Sequence, residues 1–322
     1  MILTVTINPL LERRLFFKKV SLGKSHRATK EFFSAGGKGI NVSRQLNFLN
    51  TKNHALTFLG GNNGKLLRKC FVEDKIDFTI VSTKAETRIA DLIIEEEEKR
   101  ITTFFGTNSE ISIDEVDEFK TKLDKMILNC SCVVFSGSSP CKEADDIFSF
   151  GINLANEYDK ISILDTYGNH LENSFAASPT IIHNNVSEIE SSLKIDLSTE
   201  QSKIDFLHQL NKKGIKWAFL TDGEKPIYAS KYDFIYKVEF PKINIIDSTG
   251  SGDAFTAGIV YGIDNSFVFE ETLILATKLG ILNATMLETC KVDQAAIDKF
   301  ESPINVIPIG KKMKLINDSP TI

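Results

Sequence analysis

At 322 residues, with 42% hydrophobic and 25% charged side chains, the chain has the composition of an ordinary globular protein and the length for one large domain or two small ones. A formal net charge of −5 supplies no basic stripe, which sets aside nucleic acid and anionic membrane as main partners. The apolar start Met1 to Ile7 is short and lacks a basic leader, and no apolar run approaches the roughly 20 residues that span a bilayer, so a cytoplasmic location is expected.

Leu3 to Ile7 reads as a buried first strand, stopped by Asn8-Pro9. Polar and apolar residues then alternate through Arg13 to Phe17 and Arg27 to Phe33, as in strands with one wet face. Ser34-Ala35-Gly36-Gly37-Lys38-Gly39-Ile40-Asn41-Val42 is a glycine-rich helix entrance, after which Val42, Leu46 and Leu49 carry a helical stripe. It is not a Walker A loop, because glycine follows the lysine and the four-residue spacer is missing. Lys38 is either a point charge for a phosphate or a solvated turn lysine.

His54 to Leu59 predicts a strand that turns at Gly60 to Gly64 into a helix running toward Glu73. The rhythm then breaks. Arg88 to Glu95 and Arg100 to Phe105 are strand-like runs around a charged hairpin turn at 96–99, and with 13–20 and 27–34 they predict a separate small sheet. Alternation resumes with a helix over 113–128, a strand over 131–136, a helix over 143–157 and a strand over 160–165. The strand ends Ser136-Gly137-Ser138 and Asp165-Thr166 fall at the edge where open α/β sheets bind ligands. Cys130-Ser131-Cys132 predicts two thiols on one strand face. With Cys70, Cys141 and Cys290 they make an odd count without zinc-type spacing, so reduced buried thiols are expected. The scattered histidines make no metal site.

Asn185 and Glu188 stand three apart at a predicted helix start, a spacing that a reciprocal cap explains. A strand over 215–221 ends at Thr221-Asp222-Gly223, and 226–230 with 234–239 predict a hairpin. The β-prone runs Val238 to Phe240 and Ile243 to Ile246 then meet Asp247-Ser248-Thr249-Gly250-Ser251-Gly252-Asp253, which opens a helix carrying Ala254, Phe255, Ala257, Ile259, Val260 and Ile263. Gly250 and Gly252 free several backbone N–H groups to converge at the positive end of that helix, a place for an oxyanion or a phosphoryl group in transfer. Asp253 either complements the dipole or takes a proton from an attacking hydroxyl. Helices over 268–287 and 293–300 close the core. Without repeats or linkers, residues 1–322 are expected to form a single α/β body with an inserted small sheet.

These residues together resemble the pfkB-type carbohydrate kinases of the ribokinase-like fold, in particular the fructose-1-phosphate and tagatose-6-phosphate kinase branch. The resemblance is carried nearly end to end by Met1 to Pro9, Gly36 to Val42, Phe58 to Gly61 with Gly64, Glu86-Thr87-Arg88, Ser136 to Ser138, Asn185 with Glu188, and Gly250 to Asp253. It implies a three-layer α/β/α domain with a mainly parallel central sheet and a β-sheet lid from about 11–35 and 86–106. The implied reaction transfers a phosphoryl group from ATP, with Mg2+, to a hydroxyl of a phosphorylated ketohexose, and the lid sheet is a candidate homodimer surface.

On this resemblance Asp253 is the base and the backbone of Gly250, Ser251 and Gly252 the anion hole. Glu12, Gly37, Lys38, Asn41, Arg88 and Ser136 bind the acceptor. Asn185, Thr221, Asp222 and Gly223 serve the nucleotide, with Glu188 and Asp165 at magnesium. Asp247 with Thr249 either holds a K+-like ion or bonds the turn's own backbone. The chain also departs from the branch. Glu12 replaces the usual Asp, and its extra methylene is expected to push the carboxylate into the sugar site. Ala90, Cys141 and Pro226 replace other usual residues. Two alternatives stay open, a kinase of an unphosphorylated sugar or nucleoside and a sugar-phosphate sensor without turnover.

Overall fold

The computed structural model describes residues 1–309. The chain begins with β1 (Ile2–Thr6), β2 (Leu10–Phe17), β3 (Lys30–Gly36), α1 (Lys38–Phe48), β4 (Asn53–Gly60), α2 (Gly61–Glu73), β5 (Phe78–Thr83), β6 (Ile89–Glu95) and β7 (Arg100–Phe105). It continues through α3 (Ile113–Leu128), β8 (Cys132–Ser136), α4 (Ile147–Glu157), β9 (Ile161–Asp165), α5 (Leu171–Ala176), β10 (Ile181–Asn185), α6 (Val186–Leu193) and α7 (Glu200–Lys212). It ends with β11 (Trp217–Asp222), β12 (Lys225–Lys231), β13 (Phe234–Glu239), α8 (Ser251–Asp264), α9 (Phe269–Ala284), α10 (Gln294–Lys299) and β14 (Asn305–Ile309).

Ten strands form one sheet in the order β14-β13-β12-β11-β10-β9-β8-β1-β4-β5. Neighbours from β11 through β5 are parallel, and β12 to β14 extend that edge antiparallel. A second sheet has the order β3-β2-β6-β7 and is the small sheet that the alternating runs predict. Because helices cover both faces of the large sheet, its inner strands are buried along their whole length and read as apolar runs. Their period of two still sorts the side chains. Leu3, Val5, Val133 and Phe135 face one core with Phe119 and Phe148, while Ile2 and Val134 face the other with Phe219, Phe255 and Phe269.

On the second face α8 is pressed between the sheet and α9. A Cβ at Gly258 would lie 2.6 Å from Ala276 Cα, so only glycine permits this approach. Ser112 and Glu115 close a reciprocal cap at the start of α3, which begins and ends as its pattern predicts.

Three local expectations are corrected. Ile243 to Ile246 forms no strand. Pro241 ends the pairing of β13, and the N–H groups of Ile246 and Asp247 both donate to Ala284 O, at 2.8 and 3.2 Å, docking the segment on the end of α9. The helix expected from 143 starts at Ile147, after a single tight turn over Lys142–Ala144. Cys132 lies in β8 but Cys130 precedes the strand, its thiol donating to Ile127 O; both thiols are free and buried. The edge strands β5 and β14 were not foreseen, since Thr79, Ser82 and Thr83 dilute one and Pro308 interrupts the other.

Candidate active site

A cavity of about 540 Å3 opens at the carboxyl ends of the parallel strands, the position where open α/β sheets hold ligands. Glu12 and Phe105 reach it from the small sheet, Lys38 and Asn41 from α1, Asn185 and Glu188 from the start of α6, and Thr221 and Gly223 from the end of β11. Residues 248–253 complete the wall.

The turn at 247–253 is built to leave amides free. Gly250 adopts φ 77° as the N-cap of α8, a left-handed conformation that disfavours any side chain, and a Cβ there would run into Thr289. Ser251 N–H closes the turn on Ser248 O at 3.1 Å, whereas the amides of Gly250 and Gly252 have no acceptor among the described residues. Asn283 pins the turn to α9 by donating to Thr249 O at 2.8 Å and to Ser251 Oγ at 3.1 Å, and its Oδ1 accepts Cys290 N–H at 2.7 Å. Asp247 Oδ1 accepts Thr249 N–H at 2.9 Å, the backbone bond of a turn residue, while Oδ2 is buried without a partner.

Asp253 is 4% exposed, and its Oδ2 accepts from Asn41 Nδ2 at 2.7 Å. No donor reaches Oδ1 among the described residues. Burial pushes this carboxyl up to about 7; Lys38 pulls the other way, and the charges of Asp165 and Glu188 add to the rise. Burial opposes the charge on Lys38, but Asp165, Glu188 and Asp253 outweigh it and hold the ammonium above its ordinary value. Lys38 Nζ donates to Asp165 Oδ1 at 2.9 Å and to Glu188 Oε2 at 3.1 Å, and it sits 5.2 Å from the centre of the Tyr167 ring. Asn185 caps α6 through Ser187 N–H at 2.9 Å. Glu188 does not return that cap and turns to Lys38 instead, so the reciprocal arrangement is only half formed.

Arg88 stands apart among these charges. Its guanidinium donates to Asn8 O at 3.0 Å, Pro9 O at 3.4 Å and Asn108 Oδ1 at 3.3 Å, and no carboxylate among the described residues pairs with it. Burial lowers its pKa, with only Tyr167 acting the other way. Glu12 behaves differently from expectation. Its Oε2 is drawn to Arg14 at 3.0 Å and to Ser34 Oγ at 3.0 Å, so the longer side chain lines the cavity but its carboxylate is held in an ion pair rather than left free for the sugar. Gly37 and Thr221 line the cavity. Ser136 is fully buried with an unpartnered hydroxyl and does not line it. Asp222 also lies off the wall, engaged with Lys203 and Lys225 at 3.4 and 3.1 Å.

Sequence reasoning passed over His183. It stacks on Phe255 beneath Gly252 and bridges Thr221 Oγ1 and Thr256 Oγ1 at 3.1 and 2.9 Å, and Thr256 donates to Asp165 at 3.0 Å. A signal was available: in β10 every alternate residue faces the layer of α8, which puts His183 with Ile181.

The profile of the pfkB family carbohydrate kinases matches residues 11–294. A tagatose-6-phosphate kinase of Staphylococcus epidermidis is 29% identical over 312 residues, covering 96% of this chain and all of that protein. A structure described as a possible 1-phosphofructokinase from Thermotoga maritima superposes with TM-score 0.87 at 26% identity over 96% of this chain and 99% of its own. The phosphofructokinase-2 of Escherichia coli, in complex with potassium, shares the fold at TM-score 0.85 and 19% identity over 92% of this chain and 97% of its own. With the profile spanning both the glycine-rich entrance of α1 and the turn that opens α8, the chain belongs to the pfkB family of ATP-dependent carbohydrate kinases, in the branch of the tagatose-6-phosphate kinases and 1-phosphofructokinases.

Proposed function

We propose that this kinase transfers the γ-phosphoryl group of ATP to a hydroxyl of an already phosphorylated ketohexose, of the fructose 1-phosphate or tagatose 6-phosphate type, with Asp253 as base. The observation that carries the acceptor class is Arg88, a guanidinium facing the cavity with carbonyls and an amide for partners but, among the described residues, no carboxylate. A cation kept without a counter-charge is a ready site for a phosphate. A free sugar or a nucleoside would leave it unused.

In this reading Asp253 Oδ1 accepts the proton of the acceptor hydroxyl as that oxygen forms its bond to the γ-phosphorus. The bond from phosphorus to the bridging oxygen of ATP breaks, and ADP leaves. The amides of Gly250 and Gly252, free of acceptors among the described residues, would meet the charge that spreads over the equatorial oxygens, and Lys38 would add a nearby positive charge. Thr221 and Gly223 at the end of β11 line the nucleotide side with Asn185. A sensor without turnover has no use for a buried carboxylate poised near 7 with one oxygen open.

The donor chemistry fits Mg2+ held chiefly by phosphates and water. The described residues offer no cluster of three metal-ligating side chains, and the carboxylates of Glu188 and Asp165 meet only through Lys38. Glu188, directly or through water, would hold the ion, and the Asp165 carboxylate, now paired with Lys38, would add negative charge behind it; the ion's charge would offset the nucleotide phosphates. The orphaned Oδ2 of Asp247 beside the turn supports a monovalent cation there, and the phosphofructokinase-2 of E. coli is described in complex with potassium. Residues 1–309 are read as one domain with the small sheet as its lid; the remainder of the expected domain, 310–322, lies outside the described residues. Exposed Phe32, Phe33, Phe104 and Phe105 on its edge strands support a homodimer through that sheet. No described helix is long and apolar enough to cross a membrane.

ADP release measured with fructose, fructose 1-phosphate, tagatose and tagatose 6-phosphate tests the acceptor class. A phosphorylated sugar should be the better substrate in at least one pair, and Arg88→Gln should remove that preference. Equal turnover of free and phosphorylated sugars sinks the proposal.

A further inference from the structure

We propose that Arg44 is a positioning residue for phosphoryl transfer, because its guanidinium locks the Asn41 amide in the one orientation that can hold Asp253. The inference rests on reading Asp253 as the base. Arg44 lies on α1 and is 3% exposed. Its Nε donates to Asp74 Oδ2 at 2.8 Å, one terminal nitrogen donates to Asn41 Oδ1 at 2.6 Å, and the other donates to Ala35 O. Asn41 Nδ2 in turn donates to Asp253 Oδ2 at 2.7 Å. The result is a buried chain of three bonds from the end of α2 to the base.

The chemistry fixes the direction of every link. A guanidinium only donates, so Asn41 must present its oxygen to Arg44, and its NH2 is then forced toward Asp253. Turning the amide over would set N–H groups against the guanidinium and the carbonyl oxygen against the carboxylate, two repulsive contacts in place of two attractive ones. Among the described residues, Asn41 has no other donor holding its oxygen and Asp253 Oδ2 has no other donor. The orientation of Asp253, with Oδ1 left toward the cavity, therefore depends on a residue that does not line the cavity. Asp74 fixes the far end of the guanidinium, and Ala35 O fixes its plane. Lysine keeps the charge but cannot span three acceptors from one planar group.

The test is a double-mutant cycle on the full-length enzyme, with kcat, KM for each substrate and the thermal midpoint recorded for every variant. Arg44→Lys should lower kcat by about 10–100-fold, the scale of a displaced reacting group, while KM for ATP stays within about twofold. In an Asn41→Ala background the same substitution should change kcat by less than about twofold, because the link it acts through is already gone. Asp74→Asn, which loosens the guanidinium without removing it, should give a smaller kcat loss that also vanishes in the Asn41→Ala background. It carries the test if Arg44→Lys does not fold.

Losses that multiply independently in the double variants, or a kcat unchanged in both Arg44→Lys and Asp74→Asn, overturn the positioning role. Asp253→Asn run alongside separates the two levels. If it retains normal turnover, the base assignment falls and the inference with it; if it is impaired while the cycle is additive, only the role of Arg44 falls.

Discussion

Asp253 on the body and Glu12 on the small sheet are carboxylates buried to the same degree, 4% and 5% exposed, on the wall of one cavity, and their partners divide them. Asp253 meets the neutral amide of Asn41, so burial dominates and its proton affinity climbs into the range where a base can take up and release a proton. Glu12 meets the guanidinium of Arg14, which also donates to Leu287 O at 2.9 Å and Thr289 Oγ1 at 2.9 Å. Arg14, held by that carboxylate, ties the small sheet to the segment beneath Gly250. One site uses a neutral partner to keep a carboxylate reactive; the other uses a permanent cation to set a geometry.

Asp253→Asn should keep the fold and ATP binding yet lower kcat by about 10²–10⁴-fold, the usual worth of a positioned base, in a steady-state ADP-release assay. The same substitution has a stability signature. The folded-state pKa lies above the ordinary value of 3.8, so the contribution of this group is full below 3.8 and is lost as pH rises through about 7. Asp253→Asn carries no such charge, and its thermal midpoint relative to wild type should rise between about pH 5 and pH 8. A constant difference would contradict the raised pKa.

Next in size is Arg88→Gln, which should raise KM for the phosphorylated acceptor by about 10–100-fold, the loss expected for charge-assisted bonds, with KM for ATP little changed. Glu12→Asp should be milder. Its shorter arm forfeits part of the Arg14 and Ser34 contact, and a loss of about 1–3 kcal/mol in thermal or denaturant unfolding is expected, without any gain in kcat/KM for fructose 1-phosphate or tagatose 6-phosphate. A gain on either sugar would show that the ion pair does not hold the side chain. The smallest effect concerns Asp247: potassium should raise activity over sodium at equal ionic strength, and Asp247→Asn should lose that response. Equal rates in both salts would leave Asp247 as the turn residue its Thr249 bond describes.

Much of this was legible because its signals are local. The glycine-rich entrances of α1 and α8 and the paired runs of β6 and β7 are each written in a few consecutive residues, and the structure places them where the pattern does. What escaped depends on partners far along the chain. Arg14 and Arg44 look like ordinary charged positions until Leu287 and Thr289 are brought beside the one and Asp74 beside the other. Ile243 to Ile246 has the composition of a strand, but Pro241 removes a donor and the end of α9 captures the backbone, a tertiary outcome that β-propensity does not encode. Asn185 and Glu188 read as a mutual cap at three-residue spacing, and the sequence cannot show that Lys38, 150 positions from Glu188, takes the glutamate away.

Whether a buried aspartate held by a neutral amide serves as the base is decided by the pH dependence of kcat/KM for the acceptor, measured for wild type and Asp253→Asn. Wild-type kcat/KM should fall on the acid side with a limb near pH 7, because the carboxylate of the free enzyme must be deprotonated to accept the hydroxyl proton, and the residual kcat/KM of Asp253→Asn should lack that limb. A limb that persists unchanged in Asp253→Asn would contradict the account and move the base elsewhere in the cavity.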